Sequence, residues 1–236
     1  MGTRFELVLP SGRRAIGEVV MAEVEDWHQR LSRFAPDSWV SHVNRTAASE
    51  PVRCDEDTWG LLMDAVQIWR DSDGAFDITR GDGDALVLDA GSRTIRFARA
   101  DVSIDLGGIG KGHALDCCAR LLRAHDVASA FMHGGTSSGI ALGLDPSGHP
   151  WRVTTRAEAL ALRDTAFAVS DAASQTTAHI VDPLTKMPVD ATALNPVVVT
   201  GPSARVCDGW ATALVVLGRA PGTFPIGYAH GETTTR

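Results

Sequence analysis

Long hydrophobic runs are missing from this chain of 236 residues. No stretch approaches the roughly 20 apolar residues that a helix needs to cross a bilayer, so helical membrane spans are excluded. Basic charge is short as well: 22 Lys and Arg stand against 29 Asp and Glu, for a net charge of −7. That balance argues against a nucleic-acid groove or an anionic membrane surface as the main partner. Cysteine is sparse, and Cys54, Cys117, Cys118 and Cys207 form no Cys-x-x-Cys pair. Neither a zinc site nor a disulfide framework is expected; buried free thiols in a reducing compartment are. No charged-then-apolar leader opens the sequence, which points to cytoplasmic residence. Repeats, low-complexity tracts and linkers are lacking too, so residues 1–236 read as a single unit.

What is present suits a globular core, with 44% hydrophobic and 22% charged residues. Apolar alternation over 4–9 predicts an opening strand. Apolar spacing over 15–34 and 56–70 predicts helices, the second capped by Asp55. A helix is expected over 111–125, and a last one begins at Ser203 and stops at Gly218. Short strands are expected at 94–97, 102–106, 129–133, 140–144, 151–155, 167–169, 178–181 and 197–200. Strands outnumber helices without regular alternation, so the fold class is α+β, mixed helices with mainly antiparallel strands in one compact unit.

The most informative run is Asp105 to Asp116. An apolar, β-prone lead-in meets Gly107, Gly108 and Gly110, and then a helix with Lys111 in its first turn. Glycines at a helix start let the backbone approach a ligand. The free N–H groups and the helix dipole favour an anion there, so the run reads as a phosphate seat. It is neither a Walker A loop nor a Rossmann fingerprint, and a tight turn with a solvated lysine is the plainer alternative. Asp208 and Thr212 lie four apart on the last predicted helix, which places their oxygens on one face. That is half of a hard-cation site, or else a helix-start carboxylate and a threonine bonded back to a carbonyl. His179 heads an apolar strand before Asp182-Pro183 and could take a proton near neutral pH. His113 and His133 adjoin glycine turns and are further candidates. The run 73–79 reads as a helix stop followed by a turn in which Asp77 and Thr79 serve a ligand or cap the turn.

Taken in order, seven runs resemble the ApbE family, the FAD:protein FMN transferases. They are Met1-Gly2-Thr3; Ser32-Arg33-Phe34 with Asn44; Gly74 to Thr79; Asp105 to Asp116; Gly134-Gly135; His179 to Pro183; and Asp208 to Thr212. The resemblance implies an ApbE-like, T-fold-like structure and an enzyme that uses Mg²⁺ and takes FAD as substrate. Such an enzyme moves FMN onto a Thr or Ser hydroxyl of an acceptor protein and releases AMP. It further implies Asp208, Thr212 and the carbonyl of Gly108 as metal ligands. Met1, Phe34, Ala75, Phe76, Asp77, Asp105, Lys111 and Ile180 would line the FAD site, with His179 as the base. Phe34 could stack on a flat ring system or be a core phenylalanine. The family pattern is departed from at Thr136, where Asp is usual, at Ser170-Asp171, where Ser-Gly is common, and at Lys186, which replaces a glycine. Two other readings use the same residues: an FAD pyrophosphatase that yields FMN and AMP, and a non-catalytic FAD-binding module.

Overall fold

A computed structural model describes residues 3–171, 180–189 and 196–231. The chain opens with β1 (Phe5–Val8), α1 (Arg14–Arg30), α2 (Trp39–Thr46), β2 (Val52–Arg53) and α3 (Glu56–Asp71). Next come β3 (Leu86–Asp89), β4 (Thr94–Phe97) and α4 (Gly110–Ala124). Then follow β5 (Ala130–Gly134), β6 (Ser138–Leu142), β7 (Trp151–Thr154), β8 (Ala159–Leu162) and β9 (Thr165–Ser170). The described part closes with β10 (Val197–Gly201), α5 (Ala204–Leu217) and β11 (Ala229–His230).

Six strands form the main sheet in the order β1-β5-β6-β9-β10-β11, each neighbouring pair antiparallel. β2-β4-β3 and the β7-β8 hairpin form two smaller antiparallel sheets. All of β6 is buried, because the main sheet is covered on both faces. Its Ile140 and Leu142 join the principal core, against which α4 and α5 pack, and α1 packs behind α4. The intervening Ala141 points the other way, with Phe167, Val169 and Val198, into a second cluster roofed by β7 and β8. That division follows from the two-residue period of a strand. Trp151 of the hairpin stacks on Phe131 at a centroid distance of 5.6 Å.

Local chemistry sets the helix ends where expected. Asp55 accepts from Thr58 N at α3, and Ser203 accepts from Val206 N at α5. Gly218 then ends α5 at φ 68°. All four cysteines are buried and free. Burial pushes the thiol of Cys54 up to about 11 and that of Cys117 up to about 12, which leaves them protonated.

Two expectations need correction, and several elements were not expected. The first helix stops at Arg30, not residue 34, because the Ser32 hydroxyl accepts from Phe34 N and Ala35 N and bends the chain away. Residues 102–106 form no strand, although Val102, Ile104 and Leu106 are buried in alternation. Their peptides pair instead with the Asn44 side chain, which binds Ile104 N at 2.8 Å and Ile104 O at 3.0 Å, and with Ile78 O. α2 was not anticipated: its polar and β-branched residues are weak helix formers, but Ser38 caps it and Val40 and Val43 are buried. Nor was β8, since its Ala-Leu repeat favours helix in isolation, and pairing with β7 overrides that preference. The predicted strand at 178–181 lies partly outside the described residues. Its Val181 forms an isolated bridge with Pro188.

His113, a candidate beside the glycine turn, is part of the α1–α4 contact. It is buried edge-on against Trp27, with ring centroids 4.2 Å apart. Burial first, and then the Arg205 guanidinium, hold its pKa down at about 3. The unfolded chain therefore takes up a proton below about pH 6.5 that the folded chain refuses. Stability from this group is complete above that value and is lost as the pH falls toward 3, at up to about 1.4 kcal/mol per pH unit. Urea midpoints at pH 7 and pH 5 are expected to differ more for the wild type than for His113→Gln. Equal differences would remove His113 as the source.

Candidate functional site

The starts of α4 and α5 meet, and Asp208 lies between them, 4% exposed. Its Oδ2 accepts from Gly112 N at 3.1 Å, in the first turn of α4. Its Oδ1 accepts from the Ser138 hydroxyl at 3.0 Å, and the Lys111 ammonium stands 3.4 Å away. The Gly112 amide at the α4 start is therefore taken by the protein's own carboxylate. Gly112 has no side chain for a related reason. A Cβ there would collide with the carbonyl of Ala204, so the glycine admits α5 and not a ligand.

Thr212, one turn beyond Asp208, bonds back to Asp208 O at 3.2 Å. Its Oγ1 is also 3.4 Å from the Ser170 hydroxyl at the end of β9. A Cβ on Gly108 would sit 3.6 Å from Thr212 Oγ1 and 3.2 Å from the Phe76 ring. Thr212, one turn after Asp208 on α5, is thus brought beside Gly108, which lies far earlier in the sequence. Carboxylate, hydroxyl and main-chain carbonyl are all oxygen donors, as Mg²⁺ prefers, and Lys111 already demonstrates that positive charge is accommodated beside Asp208. Among the described residues no group of three or more His, Cys, Asp or Glu could hold a metal ion. A cation at this place would need the hydroxyl and carbonyl together with oxygens from a ligand.

A cleft of roughly 390 Å³ opens beside the 73–79 turn, lined by Trp69, Gly74, Asp77, Gly83, Pro183 and Leu184. Asp208 and Thr212 do not line it; Phe76, next to Asp77 in the chain, is buried with its ring close to Gly108 and Gly209. Ala75 and Ile180 are also buried. Asp77 turns inward: Oδ1 accepts from Thr79 N and Oγ1, and Oδ2 from Gly81 N and Gly83 N, the last two at 3.0 Å. Four donors satisfy both oxygens, so its carboxylate organises the cleft wall.

Phe34 is 80% exposed, which removes the core-phenylalanine alternative. The Arg33 guanidinium lies 4.5 Å over its ring and pairs with Asp105 at 3.1 Å, so two of the expected flavin-site positions adjoin each other. His133 stands away from Asp208, 3.4 Å from Glu6. Met1 and His179 lie outside the described residues. Sequence reasoning passed over Ser138 and Arg33, and took Ser170 only as a departure from pattern. Ser138 follows the Gly134-Gly135 turn, and a polar residue beginning a fully buried strand was its available signal.

A model of the ApbE family matches residues 1–87 and 82–223. The chain belongs to the ApbE family. A Salmonella typhimurium protein named FAD:protein FMN transferase is 28% identical over 245 residues, covering 83% of this chain and 69% of its own. A Chlamydia trachomatis protein of the same name is 29% identical over 229 residues, 79% of this chain and 71% of that one. Among solved structures, the flavin transferase ApbE from Vibrio cholerae superposes with a TM-score of 0.82 at 22% identity, covering 92% of this chain and 84% of that one. The apo flavinyl transferase ApbE of Pseudomonas stutzeri gives 0.79 at 21%, covering 99% and 94%. These two structures establish the ApbE fold for this chain, α+β with an antiparallel sheet, as expected.

If Asp77 holds the cleft wall, Asp77→Ala strands several amide donors. A loss of about 2 kcal/mol in urea unfolding is expected, with Asp77→Asn losing less. Unchanged midpoints in both variants would show that the turn does not depend on this carboxylate.

Proposed function

We propose that this protein is an FAD:protein FMN transferase that uses Mg²⁺ and joins FMN to a Ser or Thr hydroxyl of an acceptor protein. The observation that carries the reading is the placing of the Thr212 hydroxyl and the Phe76 ring beside Gly108, with buried Asp208 one turn before Thr212 on the same helix. The activity named for the relatives supplies the reaction.

In that reaction the acceptor oxygen forms a bond to the phosphorus of the FMN half. The bond from that phosphorus to the bridging oxygen breaks, and the oxygen leaves with AMP. The hydroxyl proton passes to a base, for which His179 is our assignment. A divalent ion held by Asp208, Thr212 and the Gly108 carbonyl would offset diphosphate charge and stabilise the leaving group. The chain's own residues bind and orient. Lys111 has its ammonium beside Asp208, 20% exposed, where it can pair with a diphosphate oxygen. Phe34 presents an open ring face suited to a flat heterocycle. Asp105 is held by Arg33 and by Gly107 N at 2.9 Å, which keeps the glycine turn in place ahead of α4. Among the described residues no helix is long and apolar enough to cross a membrane.

Purified protein with FAD and Mg²⁺ is expected to release AMP only when an acceptor protein is present, and the acceptor should gain the mass of FMN. Asp208→Asn, which keeps the side chain's shape, should lower AMP release by more than about 100-fold while the circular dichroism spectrum is retained. Free FMN with AMP and no adduct would assign a pyrophosphatase instead. Bound FAD with no AMP under any condition would assign a binding module.

A further inference from the structure

α4 and α5 satisfy each other's free N–H groups. A helix start leaves its first amides without partners inside the helix. Asp208 of α5 takes Gly112 N from the first turn of α4. In return Asp116 of α4 takes the start of α5: Ala204 N at 2.8 Å, Arg205 N at 3.0 Å and the Ser203 hydroxyl at 2.6 Å. The pattern is symmetric, since Gly112 precedes Asp116 by four residues and Ala204 precedes Asp208 by four. Gly112 and Ala204 touch at the crossing, where no further side-chain atom fits.

The two carboxylates differ in what else they meet. Asp208 also faces Ser138 and Lys111. Asp116 is bonded wholly to the start of α5, close to Arg205, whose guanidinium is tied to Asp64 at 2.7 Å and to His113 at 3.3 Å. Burial pushes Asp116 above the ordinary carboxylate range, and its three hydrogen bonds pull the other way. A carboxylate at that point also meets the positive end of the α5 dipole.

We infer that Asp116 is a positioning residue for the cation site. By holding the first turn of α5, it fixes the height and rotation of the turns that carry Asp208, facing Gly112 and Ser138, and Thr212, beside Gly108. The inference rests on the reading of Asp208 and Thr212 as cation ligands.

The test is Mg²⁺ binding to the full chain in the presence of FAD, followed by calorimetry, beside urea unfolding of each variant. Asp116→Asn is expected to weaken Mg²⁺ binding about 10-fold. Ser203→Ala, which removes one of the three donors and leaves the carboxylate, should weaken it in the same direction by less. Ile95→Val in the β4 core lowers stability at a distance and should leave Mg²⁺ binding unchanged. If Asp116→Asn does not fold, the Ser203→Ala shift decides the matter. Wild-type Mg²⁺ affinity in every folded Asp116 and Ser203 variant, with stability lost, would overturn the inference and make Asp116 a structural cap alone. Wild-type affinity in Asp208→Asn would instead overturn the cation assignment itself, and the inference with it.

Discussion

A carboxylate with 4% exposure is tolerable only where donors surround it, and Asp208 has such a place because two helices begin there. Much of the surrounding architecture follows from this one requirement. Gly112 must lack a side chain so that α5 can come close enough to receive its amide. β6 must start at Ser138 so that a hydroxyl reaches the second oxygen. The main sheet serves as the platform on which both helices lie, and the roof of β7 and β8 allows β6 to be buried throughout. The site is therefore assembled from elements nearly 100 residues apart, and it persists only while the whole platform is folded.

Local signals were legible in the sequence. Asp55, Ser203 and Gly218 act on the next few amides or on their own dihedrals, so their meaning needs no tertiary context. The helical face of α3 was legible for the same reason. What a single sequence hides is the partner of a polar group. Gly112, in the first turn of α4, makes the close approach, but nothing local said that the visitor is the start of α5. Asn44 lies sixty residues from the strand-like segment that it completes, and Asp77 closes on its own turn where a ligand was the alternative reading. Phe34 could not be assigned to core or surface until the Ser32 hydroxyl was seen to end α1 early. Ordered resemblance to a family supplied what local chemistry could not, by grouping runs of which the fold sets Gly108 beside Thr212 and Gly112 against Asp208.

Two departures from the family pattern have a physical account. Lys186 replaces a glycine yet adopts φ 59°, a left-handed conformation that side chains seldom take. The turn around it is closed by Lys186 N on Asp182 O at 2.8 Å, and its ammonium stands 3.9 Å from Asp82 across the cleft wall. In the pair Ser170-Asp171, the serine hydroxyl reaches Thr212 while Asp171 pairs with Arg156 at 3.2 Å. Nothing in the structure explains the threonine at 136 in place of the usual aspartate.

The crossing of α4 and α5 leaves almost no freedom along the helices: enlarging Gly112 separates them, and shifting either one moves both carboxylates together. Ser138 and Ser170 are different, because they arrive from strand ends and contribute only a hydroxyl. Chemical diversity at such a centre, whether reached by drift or by laboratory redesign, is thus channelled into the two strand-borne serines, while the helical scaffold behind them stays frozen.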